Sequence, residues 1–156
     1  MPNCYHGHGL SFQYPDNWRL DDAADDPRDD SVTVYAPGGS FWSVSVHPAE
    51  ADPMELAQGV VNLMKQEYET LEVEEVCDNL LGIEMVGFDM NFYFLDYTNS
   101  AQIRVLRVRD RTYAVFYQGE DHEFDRLGNV FRAMTASLFT EAGGDDDDQG
   151  DPLARP

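Results

Sequence analysis

At 156 residues, 42% of them hydrophobic and nineteen of them aromatic, the chain is long enough to bury a core and too apolar to stay disordered, even with a net charge of −20. Thirty acids against ten bases make a field that repels phosphates and anionic lipid, which excludes nucleic-acid and membrane-surface partners and leaves basic proteins, cations or high salt. The opening Met1-Pro2-Asn3-Cys4-Tyr5-His6 has no apolar leader and no stretch nears the roughly 18 apolar residues of a membrane helix, so the expectation is a cytoplasmic protein whose Cys4 and Cys77 stay reduced.

Taken in chain order, Leu10, Phe12 and Tyr14 alternate with Ser11 and Gln13 as a strand, and Pro15-Asp16-Asn17 turns the chain before Trp18. Segment 21–30 carries six aspartates against Arg28 and reads as a solvated loop. Val32, Val34 and Ala36, then Trp42, Val44 and Val46, alternate on either side of Pro37-Gly38-Gly39-Ser40, which predicts a hairpin.

Asp52-Pro53 followed by Glu55 is a helix start: the aspartate caps free amides, proline fits the first turn, and glutamate takes the reciprocal position. Ala57, Val60, Val61, Met64, Tyr68 and Leu71 recur at three- and four-residue steps, predicting a helix to about residue 70. A short strand is expected at Val73 to Val76. A longer one follows from Val86 to Leu95, with a turn at Thr98-Asn99-Ser100 before the next strand, Ala101 to Arg109. In that strand the apolar phase slips from Ile103 and Val105 to Leu106 and Val108, which predicts a β-bulge. Asp110-Arg111 forms the next turn, Tyr113 to Tyr117 a strand buried on both sides, and Phe124, Leu127, Phe131, Met134 and Leu138 a closing helix with Asp121 and Glu123 at its positive end.

These elements predict an α+β fold: an antiparallel β-sheet of about six to seven strands packed by two main α-helices, in a single domain over 1–140. Residues 141–156, with six acids, one arginine and no apolar period, read as a disordered acidic tail.

The order of elements, with Phe12-Gln13-Tyr14-Pro15-Asp16-Asn17-Trp18, the helix after Asp52, the meander from Ile83 to Gln118 and the final Ala136-Ser137-Leu138-Phe139, resembles the PsbP-like or Mog-like fold over roughly residues 9–140. That group includes an extrinsic subunit of photosystem II, a nuclear import factor that binds the small GTPase Ran, and many bacterial proteins of unknown role. The resemblance implies a scaffold for protein binding or assembly without a shared catalytic centre.

Arg104, Arg107, Arg109 and Arg111 place four of the ten basic residues within eight positions, and guanidinium forks bind carboxylates and phosphates in pairs. Arg104, Arg107 and Arg109 are therefore the candidate anion- or partner-binding residues, set against a role in neutralising Asp89 and Asp96 across the sheet. Cys4, His6 and His8 lack the spacing of a structural zinc site and are read as a flexible N-terminus. His47 and His122 stand alone, Asp21 to Asp30 lacks a calcium-loop pattern, and no nucleophile elbow or phosphate loop is present. No catalytic residue, metal ligand or cofactor is assigned. The expected function is a non-catalytic protein-binding or assembly module, its partner another protein. The alternative is a small-molecule or anion-binding protein, or an enzyme without a recognised motif, using an aromatic pocket with Arg side chains.

Overall fold

The computed structural model describes residues 2–21 and 31–150, with side chains through residue 140; the acidic stretch 22–30, the side chains of 141–150 and all of 151–156 lie outside the described residues, and with them most of the expected loop and the last six residues of the expected tail, while the backbone of 141–150, expected as the start of that tail, continues the closing helix. The described residues form β1 (Asn3–Gly7), β2 (Leu10–Tyr14), β3 (Arg19–Asp21), β4 (Ser31–Tyr35), β5 (Phe41–Pro48), α1 (Pro53–Glu67), β6 (Glu72–Leu80), β7 (Ile83–Phe94), β8 (Tyr97–Val108), β9 (Arg111–Glu120) and α2 (Asp121–Gly150). β1 and β2 pair as a separate hairpin, and the other seven strands form one antiparallel sheet in the order β3-β4-β5-β9-β8-β7-β6. The fold is α+β, as the alternation of apolar residues requires.

The two helices cover opposite faces of the sheet. Ala57, Val61 and Met64 of α1 pack on Phe88, Met90 and Phe92 of β7 and on Ala101, Ile103 and Val105 of β8. On the other face, Phe124, Phe131, Met134 and Leu138 of α2 meet Leu106, Tyr113, Val115 and Tyr117, with Phe12 of β2 and Trp42 of β5. The phase slip in β8 is thus not a bulge. Its register runs unbroken from Val105 opposite Val86 to Leu106 opposite Met85, and both neighbours are buried because each faces a different helix. A strand covered on both faces loses the alternation on which a bulge was inferred.

Local chemistry explains the element ends. Asp52 Oδ1 accepts from the amides of Met54 (3.0 Å) and Glu55 (3.4 Å) with Pro53 in the first turn, and the helix stops at Tyr68, whose amide donates to Met64 O at 2.9 Å. The β4–β5 turn is closed by Ala36 N donating to Ser40 O at 2.8 Å and is tied to α2, because Glu123 accepts from both Ser40 N and Ser40 Oγ. The N-terminus is not a flexible coil: Tyr5 is buried against Phe12, and β1 pairs with β2 along its whole length.

Two turns fall earlier than the turn residues indicate. β7 and β8 are joined by Leu95-Asp96, both at positive φ (52° and 69°), so Thr98, Asn99 and Ser100 lie within β8. β8 and β9 are joined by Arg109-Asp110, with Arg109 at φ 59°, and Arg111 opens β9. Two-residue hairpins of right-handed twist demand positive φ, and tertiary register placed non-glycine residues there.

Candidate functional site

The candidate arginines do not converge. Across β8, even positions face α2 and odd positions face α1, so Arg104 and Arg107 project from opposite sides of the sheet. Arg107 Nη2 donates to Ala51 O at 2.7 Å on the α1 face, Arg109 supplies a turn, and Arg111 Nη1 donates to Gly9 O beside the β1–β2 turn. Asp96, expected as a neutralising partner, sits instead in the β7–β8 turn.

Arg104 alone is enclosed. It is 4% exposed, its Nη2 lies 2.6 Å from Asp89 Oδ1, its Nη1 donates to Ile103 O and Phe88 O, and its Nε, 3.6 Å from Asp78 Oδ2, has no hydrogen-bond partner. Asp78 in turn accepts from Arg132 of α2 at 3.0 Å. These groups line a cleft of about 310 Å³ between α2 and the sheet, with Gln102, Tyr117, Phe124 and Asp125. Burial alone would push the Asp78 carboxyl up, but the Arg132 and Asn79 hydrogen bonds and the charges of Arg132 and Arg104 outweigh it and hold the group below its ordinary value. Burial pushes the Tyr117 phenol up to about 12, so it stays a neutral donor. Two guanidinium groups, two carboxylates and two aromatic rings line this cleft, a setting suited to a small polar molecule.

A second feature lies at the far end of β8. β6 pairs with β7 only as far as Asn91, and β9 pairs with β8 only as far as Asn99, so the hairpin tip from Phe92 to Thr98 projects beyond its neighbours. Its apolar side chains are in solvent: Tyr93 63% exposed, Phe94 50%, Leu95 75% and Tyr97 65%. Tyr68 stacks on Phe92 with ring centroids 4.1 Å apart and meets Phe94 edge-on, while Thr70 Oγ1 accepts from Tyr93 N at 3.2 Å. The segment so anchored brings the exposed Glu67, Glu69 and Glu72 beside the tip. Singly exposed hydrophobics are ordinary, but four within five residues at a projecting turn make an exposed apolar cluster. Sequence reading missed it by setting the turn at Thr98; the signal available was an apolar run, Phe92 to Leu95 and Tyr97, that never gives way to turn residues.

The remaining candidates are dispersed. Cys4 and Cys77 are free and exposed, His6 Nδ1 shares a 3.0 Å hydrogen bond with Ser11 Oγ, and His8 takes φ 53° in the β1–β2 turn. His47 bonds Ser45 at 2.9 Å, and the exposed His122 bonds Glu120 at 2.9 Å. Among the described residues no three His, Cys, Asp or Glu side chains gather at ligand spacing, and no helix is long and apolar enough to cross a membrane.

No protein-family model matches the sequence, and no curated protein matches it. Solved structures do. The cyanobacterial PsbP (CyanoP) of Synechocystis sp. PCC 6803 aligns with a TM-score of 0.56 at 17% identity, covering 87% of this chain and 90% of that one. The Ran-binding protein Mog1p of Saccharomyces cerevisiae aligns at 0.58 and 9% identity, covering 88% and 94%, and a Mog1 mutant at 0.53 and 10%, covering 90% of each chain. At such identities the likeness concerns the fold, which is the one Tyr14-Pro15-Asp16-Asn17-Trp18 and the order of elements suggest: this chain has the PsbP/Mog-like fold.

Proposed function

We propose that the protein is a protein-binding or assembly module and that the β7–β8 hairpin tip is its docking element. The observation that carries this reading is the projecting group Tyr93, Phe94, Leu95 and Tyr97, exposed around a two-residue turn. Aromatic side chains give large contact area for little lost conformational freedom, which is why they dominate binding hot spots. The flanking Glu67, Glu69, Glu72 and Asp96 specify the partner's chemistry: a protein with an apolar socket rimmed by lysine or arginine. A Ran-binding protein shares the fold, which supports a binding role without naming this chain's partner.

The test places a photo-crosslinking amino acid at position 95 and, as a control, at the exposed Leu63 of α1. In cells of the source organism, position 95 should give one discrete adduct with another protein, crosslinked near basic residues and lost at high salt. Equal adducts from both positions, or none from 95, overturn the reading.

The cleft at Arg104 supports a second reading, a small anionic ligand held by Arg104 and Arg132, because it brings two guanidinium groups to one wall between α2 and the sheet. A ligand that raises the melting temperature of the wild type but not of Arg132→Ala, with Arg107→Ala unaffected, would support it. A screen of small carboxylates and phosphates giving no shift removes it.

A further inference from the structure

β6 is the last strand of the seven-stranded sheet, and its outer edge pairs with nothing among the described residues. It closes on β7 through a two-residue turn, Leu81-Gly82, with Leu80 opposite Ile83. In such a hairpin the closing pair exchanges both backbone bonds, so bonding alternates back along the strand and leaves the N–H and C=O groups of Asn79, Cys77, Glu75 and Val73 pointing away from β7. Asn79 confirms the phase, since its amide donates to Asp78 Oδ1 at 2.8 Å and its carbonyl accepts from Arg132 Nη2 at 3.3 Å. The turn end of the edge is therefore capped, and Val73, Glu75 and Cys77 offer three donors and three acceptors in a row.

The side chains say what can pair there. Glu72 and Glu74 project on the α2 face with Asp78, and Glu75 lies between Val73 and Cys77 on the α1 face. From Glu67 to Asp78 the chain has six acids and no base. A second copy adding to this edge would set glutamate against glutamate, and acidic side chains are a common guard against such self-pairing. A strand carrying lysine or arginine at alternate positions meets opposite charge instead, and small apolar residues between them fall beside Val73 and Cys77. We propose that the β6 edge from Val73 to Cys77 receives an extended basic segment of another protein as an eighth strand. This surface adjoins the hairpin tip and shares Glu72 with its rim, but the backbone edge from Val73 to Cys77 is distinct from the tip's apolar side chains, and neither reading requires the other.

The probe is a fluorescein-labelled heptapeptide alternating Lys and Val, followed by anisotropy, with a Glu/Val peptide and a Lys/Val peptide N-methylated at alternate amides as controls. The Lys/Val peptide should bind, with each control at least ten-fold weaker. Glu75→Pro removes an outward N–H that β7 does not use, so it should weaken binding ten-fold or more while the circular dichroism spectrum stays unchanged. Should that variant misfold, the double variant Glu72→Lys with Glu74→Lys keeps the backbone and should reverse the preference toward the Glu/Val peptide. Leu95→Asn should leave peptide binding unchanged, which separates a failure here from a failure at the tip. No binding, equal binding of the N-methylated peptide, or a self-association abolished by Glu75→Pro overturns the proposal.

Discussion

Arg104 on β8 stands directly opposite Gly87 on β7, and the glycine's missing side chain sets how closely the strands approach. A Cβ at Gly87 would run into the carbonyl of Ile103 and crowd the Cα of Arg104, which is backbone and cannot swing aside. In the space left, the guanidinium lies over the strand and reaches Phe88 O and Asp89.

Gly87→Ala should therefore lower stability by about 1–3 kcal/mol, the range for forced overpacking. Gly59, inside α1, has open space where a Cβ would stand, and Gly59→Ala should raise stability by about 0.4–1 kcal/mol by restricting the unfolded chain. Urea denaturation of the two variants checks both signs.

Arg104→Met leaves Asp89 and Asp78 without their shared cation. Removing one partner of a fully buried pair costs about 3–5 kcal/mol, and because both aspartates keep some exposure the expected loss is about 2–4 kcal/mol. Arg104→Lys should recover little of this, since a single compact ammonium lacks the planar fork by which Nη1 reaches the carbonyls of Ile103 and Phe88 while Nη2 reaches Asp89. Chemical denaturation of both variants measures the difference.

The pH dependence has opposite signs at the two ends of the scale. Asp78 is depressed in the folded state, so its contribution is present above the ordinary carboxylate range and disappears as pH falls through about 4 and below. Arg132→Gln should move the acid unfolding midpoint to higher pH. Tyr117 is raised to about 12 against about 10 when unfolded, so its contribution is complete below about pH 10 and lost as pH climbs toward 12. Tyr117→Phe should flatten that alkaline slope, which denaturant midpoints between about pH 9 and 12 would show.

Leu95 occupies a left-handed turn position, where a branched apolar side chain costs about 1 kcal/mol relative to asparagine. Leu95→Asn should hold or raise the melting temperature while abolishing the position-95 partner contact. A fall in stability would mean that the leucine serves the fold rather than a partner.

With a net charge of −20, like-charge repulsion should weaken the fold at low ionic strength. The melting temperature should rise between about 10 mM and 300 mM sodium chloride, where the Debye length shrinks from roughly 30 Å to below 10 Å, and a flat response would contradict this.

Seven of the nine described strands, both helices and the Asp52 cap are legible in local residue patterns of the sequence by itself, whereas β1, read as a flexible N-terminus, and the three-residue β3 are not. Period-two alternation at Val32–Val46 and at Val86–Phe94, three- to four-residue spacing at Ala57–Tyr68 and Phe124–Leu138, and the Asp52-Pro53 start are local properties with local causes. Tertiary structure decided which face each residue occupies. It put Ile103 and Val105 under α1 but Leu106 under α2, so a doubly covered strand looked like a bulge, and it separated Arg104 from Arg107 although they are three residues apart. It also moved the β7–β8 turn to Leu95-Asp96 and bared the aromatic tip, because turn position follows from the register of neighbouring strands as well as from the turn residues. The reason is common to all three: exposure and convergence depend on what packs from elsewhere in the chain, and no window of neighbouring residues contains that information.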